Sequence, residues 1–348
     1  GKVCDRIGRK PTLFWVGVLY LASAAWSAFA FGPWDLIVAR FIGGLGVGAS
    51  SIAAPVYIAE IAPPERRGQL GGLFQFNIVL GMVVSQFVNW GIGSAGLGDA
   101  TWRWMLGSEM APALAFTLLT PFLDESPRWM VDGKRGSGNG ERRIGTGFFS
   151  RDNSRPIMLA FCVAMFNQLS GINAMMYFAK RVFEMAGFTP QVALGTAAGM
   201  SVVLGLGTFA GLFLIDRIGR RTLLIIGSIG CIVAHFAAAS AFVFDLGLLA
   251  AVCIFQFIVF FAVGQGVVIW VFISEIFPQK FRAQGQSWGS FTHWSFCAVL
   301  TFVFPAMAAS WAPASIFTFF GVCLCAHLLW AIFICPETKG KKLEEFEK

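Results

Sequence analysis

A short charged sequence occurs twice in the chain, and each copy lies between strongly apolar stretches. Residues 5–10 read Asp-Arg-Ile-Gly-Arg-Lys, and residues 216–221 read Asp-Arg-Ile-Gly-Arg-Arg. A second signal follows each copy, because residues 60–67 and 275–282 both begin with glutamate and end with arginine. The two signals repeat at offsets of 211 and 215 positions. Such a repeat indicates a duplicated architecture, and repeats of helices around a central site are typical of secondary transporters.

The composition excludes an ordinary soluble domain. Hydrophobic residues make up 56% of the chain and charged residues 13%, with a mean hydropathy of +0.69, whereas soluble domains carry about 25% charge. Most of the eight cysteines lie within apolar runs, so we interpret them as buried small hydrophobic residues. No spacing of cysteine and histidine suits a metal ion, and no nucleophile–base constellation occurs. We therefore predict no cofactor, no metal and no enzymatic chemistry.

Runs of about twenty apolar residues predict membrane-spanning helices. We predict ten of them, at 12–31, 34–59, 69–95, 103–123, 156–186, 190–215, 222–244, 246–277, 283–309 and 312–335. Of the 26 lysines and arginines, 22 fall on one side of this arrangement. The positive-inside rule then places both visible termini in the cytosol. The net charge of +7 is therefore a topology signal and does not indicate nucleic-acid binding.

The segment 131–155 is the one long linker, with a flexible Gly-Ser-Gly-Asn-Gly core at 136–140. It separates a first half, residues 1–130, from a second half, residues 156–348. Four predicted spans precede it and six follow. If the halves are equal, the first half lacks two helices, which agrees with a chain that begins inside a loop motif. The prediction is an all-α membrane protein with two pseudo-symmetric halves and ten of twelve helices.

Five motifs resemble those of the sugar porter family of the major facilitator superfamily. They are Gly1–Lys10, its partial repeat Asp216–Arg221, Asp124-Glu125-Ser126-Pro127-Arg128, Gln168-Leu169-Ser170-Gly171-Ile172-Asn173 and Pro336-Glu337-Thr338-Lys339-Gly340. The resemblance extends over essentially the whole chain. It implies a twelve-helix fold in a cytoplasmic (inner) membrane of bacterial type. It also implies transport of a hexose or pentose by alternating access, either passively or coupled to protons.

The charges at the cytosolic helix ends can form a network that holds the two halves together and breaks when they separate. The alternative is that they only set the topology, but the duplicated spacing and the resemblance favour the network. Its predicted members are Asp5, Arg9, Glu60, Arg67, Glu125 and Arg128 in the first half, and Asp216, Arg220, Glu275 and Arg282 in the second.

A sugar needs neutral hydrogen-bonding groups and an aromatic surface, and polar side chains inside membrane spans tend to face the interior of the bundle. The resemblance and the helix depths select Gln75, Asn167, Gln168, Asn173, Tyr177, Trp270, His293 and Trp294 as substrate-binding residues. Gln168 and Asn173 lie five positions apart, so both can face one ligand only if the helix deforms between them. Gly171 offers a place for that deformation. Interhelical hydrogen bonding is the alternative role for both amides.

The chain departs from the family pattern at several of these positions. Asn167 replaces a glutamine, and His293 replaces an asparagine that is common in relatives. His293 can bind the sugar, carry a proton or serve as a neutral structural partner. Leu204 stands where relatives supply an asparagine. The segment Gly264–Trp270 has lost three prolines, so that only two glycines remain to permit bending.

Arg40 is the candidate for energy coupling, because a charge inside a span should have a partner. The sequence leaves proton symport and facilitated diffusion both open. It also leaves open the transport of another solute, a non-transporting sugar sensor, and inactivity of the ten-helix chain. The oligomeric state and the sugar are not predicted.

Overall fold

The computed structural model describes residues 2–131 and 147–340, and these two ranges contain helices and turns but no β-strand. In chain order the helices are α1 (Lys2–Ile7), α2 (Arg9–Ala28), α3 (Pro33–Ile61), α4 (Arg67–Ser94), α5 (Thr101–Gly107), α6 (Met110–Leu119), α7 (Ser154–Leu169), α8 (Ile172–Tyr177), α9 (Ala179–Met185), α10 (Pro190–Ile218), α11 (Arg220–Val243), α12 (Gly247–Phe261), α13 (Val267–Ile276), α14 (Arg282–Ser310) and α15 (Pro313–Phe333). Most of the predicted linker, at 132–146, and the tail at 341–348 lie outside the described residues.

Nine helical segments in the described ranges are long and apolar enough to cross a membrane. They correspond to nine of the ten predicted spans. Proline at the first position starts α3 and α15, where its missing N–H has no cost. Large apolar side chains such as Phe31, Phe122 and Phe302 remain exposed on the outer surface. A bilayer accommodates such a surface, whereas water does not.

The predicted span 103–123 is not one continuous helix but two, α5 and α6, with a turn at Ser108 and Glu109. Pro112 explains the break, since it has no N–H to donate to the carbonyl of Ser108 four residues earlier. That carbonyl instead accepts from the backbone N–H of Ala111 at 3.3 Å. Both pieces still pack on α2, so the break does not detach the segment from its neighbouring helix.

The helices form two bundles with a central interface. Helices α2 to α6 pack on one another, and α7 to α15 form the larger bundle. Two buried apolar clusters fill the larger bundle, one around Phe257 and Phe320 and one around Trp270 and Phe272. Between the bundles, α3 and α4 contact α10, α13 and α14. The end that carries the two charged motifs is called the charged end below.

Candidate functional site

A cavity of about 100 Å³ lies between the two bundles. The eight side chains predicted to bind substrate all line it, together with apolar neighbours; the eight are Gln75, Asn167, Gln168, Asn173, Tyr177, Trp270, His293 and Trp294. Gln75 comes from α4 of the first bundle and the other seven come from the second. Among the described residues, no Asp, Glu, Lys or Arg lines this cavity. The walls therefore offer neutral hydrogen-bonding groups and aromatic surface.

The helix that carries the amides is broken at Gly171, as the sequence predicted. Helix α7 ends at Leu169, Gly171 adopts the left-handed region with φ of 86°, and α8 begins at Ile172. A Cβ at Gly171 would lie 2.9 Å from the ring of Phe320, so the close approach also requires glycine. The break turns Asn173 back toward Gln168, and Asn173 Nδ2 donates to Gln168 Oε1 at 2.7 Å.

The polar groups of the cavity hydrogen-bond to one another. Gln168 Nε2 donates to Asn167 Oδ1 at 3.2 Å and lies 3.1 and 3.0 Å from the two ring nitrogens of His293. Asn173 Nδ2 also contacts Cys297 Sγ at 3.1 Å. Gln168 is fully buried, so these partners replace the water that its amide has lost. The three amides and His293 thus form one connected cluster.

The aromatic wall joins the two bundles. Trp270 Nε1 donates to Gln75 Oε1 of the first bundle at 3.0 Å. The ring of His293 lies between the two indoles, with centroids 4.9 Å from Trp270 and 5.1 Å from Trp294. Trp294 Nε1 donates to Ser51 Oγ of the first bundle at 3.1 Å. Both tryptophans therefore combine a ring surface facing the cavity with a hydrogen bond across the interface.

The segment that lacks the three prolines, and in which two glycines remain, forms a wide π-type turn at Ala262–Gly266. Such turns free a backbone carbonyl and are common at functional sites. The carbonyl of Gln265 accepts from Asn167 Nδ2 at 3.4 Å, and the Gln265 side chain lies 3.2 Å from Nδ1 of His327. Ser228 Oγ lies 2.8 Å from the same nitrogen. The sequence did not predict these hydrogen bonds behind Asn167, although Gln265 and His327 are polar residues within apolar runs.

The first charged motif forms a buried cluster within the first bundle. Arg9 donates from Nε and Nη2 to the two carboxylate oxygens of Glu60 at 3.0 and 2.9 Å, and its Nη1 lies 3.3 Å from Asp5. Glu125 accepts from the backbone N–H of Arg9 at 3.0 Å and from that of Lys10. Burial raises the pKa of Asp5 although the charge of Arg9 opposes this shift.

The second charged motif repeats this arrangement in the second bundle. Arg220 donates to both oxygens of Glu275 at 3.1 and 2.8 Å and pairs with Asp216 at 2.9 Å. Glu337 accepts from the backbone N–H of Arg220 at 2.9 Å and from that of Arg221 at 3.1 Å. Glu337 thus occupies the role of Glu125. The prediction did not include it, although it belongs to a motif that the sequence had singled out.

The bidentate arginine–glutamate pairs differ from the predicted network in one respect. Each pair lies within a single bundle: Arg9 pairs with Glu60 in the first bundle, and Arg220 pairs with Glu275 in the second. The contact across the interface comes from Asp216, whose carboxylate accepts from the backbone N–H of Gly68 at 3.1 Å and of Gln69 at 2.7 Å, at the start of α4. The free backbone N–H groups at the start of a helix stabilise a carboxylate. The spacing of residues along the sequence does not reveal such a contact.

The remaining predicted network residues lie at the same end of the molecule. Arg282 is fully buried at the start of α14, and Arg128 is partly buried just after Ser126. The side chain of Arg67 lies outside the described residues. The charged end therefore contains two clusters of equivalent design, one per bundle, and Asp216 of the second cluster contacts the start of α4 in the first bundle.

Arg40 has a partner that its own helix does not supply. Its Nη1 lies 2.8 Å from Oε2 of Glu109, which stands at the break between α5 and α6. Both side chains are about half exposed, at 48% and 47%. They line a groove of about 700 Å³ together with Tyr20 and Asn77. The pair is separated from the central cavity. It brings together, in one groove, two opposite charges that are 69 residues apart in the sequence.

The sequence profile of the family described as "Sugar (and other) transporter" matches residues 1–144 and 134–348. The chain is 33% identical over 380 residues to the arabinose-proton symporter of Bacillus subtilis, covering all of this chain and 82% of the relative. It therefore belongs to this family of the major facilitator superfamily. It is an integral membrane transporter and not an enzyme.

Solved structures of a relative align over the same extent. The proton:xylose symporter XylE bound to 6-bromo-6-deoxy-D-glucose superimposes with a TM-score of 0.87 at 28% identity, covering all of this chain and 84% of that one. The inward open conformation of the Escherichia coli xylose transporter XylE gives a TM-score of 0.74 at 29% identity with the same coverage. By this measure the present conformation is more similar to the structure with the bound sugar analogue than to the inward open one.

Proposed function

We propose that the chain carries a monosaccharide across a bacterial-type cytoplasmic membrane by alternating access. The observation that carries this proposal is the composition of the central cavity. Neutral amides from both bundles and two indoles from the second surround it, and an anionic or cationic solute would call for charged side chains there. The named relatives act on arabinose and xylose, and one bound structure holds a glucose analogue. A pentose or hexose is therefore the proposed substrate.

The cavity must widen when the sugar binds. Its volume of about 100 Å³ is below the 300–1,000 Å³ of typical ligand pockets. Tyr177 is half exposed at the rim, and Asn173 is held by bonds that a sugar hydroxyl can replace. In this proposal both side chains move aside, and Gln168 exchanges its internal partners for sugar hydroxyl groups.

The test is uptake of labelled arabinose, xylose and glucose into proteoliposomes that contain the purified transporter. We expect saturable uptake of at least one sugar, and for Gln168→Ala a loss of affinity of about tenfold or more, since several hydrogen bonds to the sugar disappear. Gln256→Ala is the matched control, because Gln256 lies on α12 and outside the cavity lining. Full affinity in Gln168→Ala would refute the site.

We further propose that transport is coupled to protons through Arg40 and Glu109. The pair joins Arg40 on α3 to Glu109 at the break between α5 and α6, so loss of the carboxylate charge would release the arginine. Glu109→Gln should abolish accumulation driven by an imposed proton gradient while sugar exchange at equal concentrations continues. Glu184→Gln is the control, since Glu184 pairs with Lys180 at 3.7 Å outside this groove. Uptake by the unaltered protein that only equilibrates would mean facilitated diffusion instead.

The two halves, 1–130 and 156–348, would rock about the cavity, with 131–155 as the linker between them. Both termini would face the cytosol, as the lysine and arginine distribution indicates. A reporter that is active only in the cytosol, fused after Gly340, should give signal. Activity of a periplasmic reporter at that position would reverse the assignment.

A further inference from the structure

Helix α3 contains a proline in its interior, and this proline frees one carbonyl group. Pro55 has no N–H, so the carbonyl of Ser51, four residues earlier, lacks its helical donor. Ser51 is buried, with 1% of its surface exposed. A buried carbonyl without a partner is costly, and within a membrane protein it must find a donor on a neighbouring segment.

The donors come from the other bundle. Gln286 Nε2 donates to the carbonyl of Ser51 at 3.1 Å, and Ser290 Oγ donates to it at 3.2 Å. The hydroxyl of Ser51 donates to the carbonyl of Val47 at 2.7 Å and accepts from Trp294 Nε1 at 3.1 Å. Three hydrogen bonds from α14 therefore converge on one residue of α3.

The three donors form a regular stripe. Gln286, Ser290 and Trp294 are spaced by four positions, which places them on one face of α14. The stripe begins near Arg282 at the charged end and reaches Trp294 in the wall of the central cavity. Ser51 is thus the point at which the first bundle is bonded to a helix that also lines the cavity.

We propose that Ser51 is a positioning residue that couples the central cavity to the closure of the charged end. When α3 and α14 separate, the freed carbonyl loses both donors and Trp294 loses its hydrogen bond in the same movement. Closure therefore fixes the indole in the cavity wall, and displacement of the indole weakens closure. This inference rests on the proposed alternating-access function.

The experiment measures the distance between the bundles at the charged end. Nitroxides on non-natural amino acids at the exposed positions Glu65 and Arg217 avoid the eight native cysteines, and pulsed electron resonance gives the distance distribution. The double variant Gln286→Leu, Ser290→Ala removes both donors to the carbonyl. We expect the ratio of long to short distances to rise about tenfold, from the loss of two hydrogen bonds.

A matched control and a compensating variant separate this role from general destabilisation. Gln284→Leu, Ser287→Ala makes the same chemical changes on α14 but away from the stripe, and should leave the distribution unchanged. Pro55→Ala restores the N–H that bonds the Ser51 carbonyl within α3. In that background the Gln286 and Ser290 changes should have less than half of their effect.

Three results would overturn the inference: no shift in the double variant, an equal shift in the control, or an undiminished shift in the Pro55→Ala background. The proposed function is tested separately. If the unaltered protein shows no saturable sugar uptake, the transport proposal fails, whereas the distance measurement still reports whether Ser51 controls closure.

Discussion

The left-handed turn at Gly171 predicts that a side chain at this position destabilises the protein, and the geometry gives the magnitude of that destabilisation. In Gly171→Ala a side chain must adopt φ of 86°, which costs roughly 1–2 kcal/mol. Its Cβ would also lie 2.9 Å from the ring of Phe320, and such overpacking costs about 1–3 kcal/mol. Together the two terms destabilise the folded protein by about 2–5 kcal/mol. Relaxation of the turn would also move Asn173 away from Gln168.

The assay combines thermal unfolding in detergent with the KM for sugar uptake. We expect Gly171→Ala to lower Tm by about 5 °C or more and to raise KM. Gly81→Ala on α4 is the control, because a Cβ there meets nothing within 4 Å, and it should leave both values nearly unchanged. Adding Phe320→Ala to Gly171→Ala relieves the overlap but not the backbone strain. An unchanged Tm and KM in Gly171→Ala would refute the requirement for the turn.

Two further predictions concern buried polar pairs. Arg220→Met should destabilise the protein by about 3–5 kcal/mol, because the buried carboxylate of Glu275 loses both charge-assisted hydrogen bonds from Arg220, whereas the double variant with Glu275→Leu should recover most of the loss; thermal unfolding of both checks this. His327→Phe should cost about 1–3 kcal/mol, because the amide of Gln265 loses its partner. In a Gln265→Leu background the same change should cost less, and a double-mutant cycle of Tm and KM values measures the difference.

The sequence predicted those features that depend on local pattern. Apolar runs located the helices, and Gly171 marked the place where the helix that carries the amides is broken. The depth of polar residues and the family resemblance selected eight side chains that the structure brings around one cavity. That these side chains bind sugar stays a prediction.

The features that the sequence did not predict depend on contacts between distant residues. Arg40 and Glu109 are 69 positions apart in the sequence, and Glu109 stands at a break in the segment predicted as one helix. Asp216 bonds to backbone groups of α4, and a backbone donor leaves no side-chain signal. The role of Ser51 likewise follows from Pro55 together with donors more than 230 residues away.

The hydrogen bonds among the side chains of the central cavity have a thermodynamic consequence for the proposed transport. Because Asn167, Gln168, Asn173 and His293 already hydrogen-bond to one another, a sugar at the proposed site would replace existing hydrogen bonds and add few new ones. The net enthalpy of binding would then be small, and the contact of the sugar ring with the indoles would supply a larger share of the affinity. A site of this kind binds its cargo moderately and can re-form its own bonds as the cargo leaves, so that release has a low barrier. Turnover, and not tight capture, is the property that this arrangement favours.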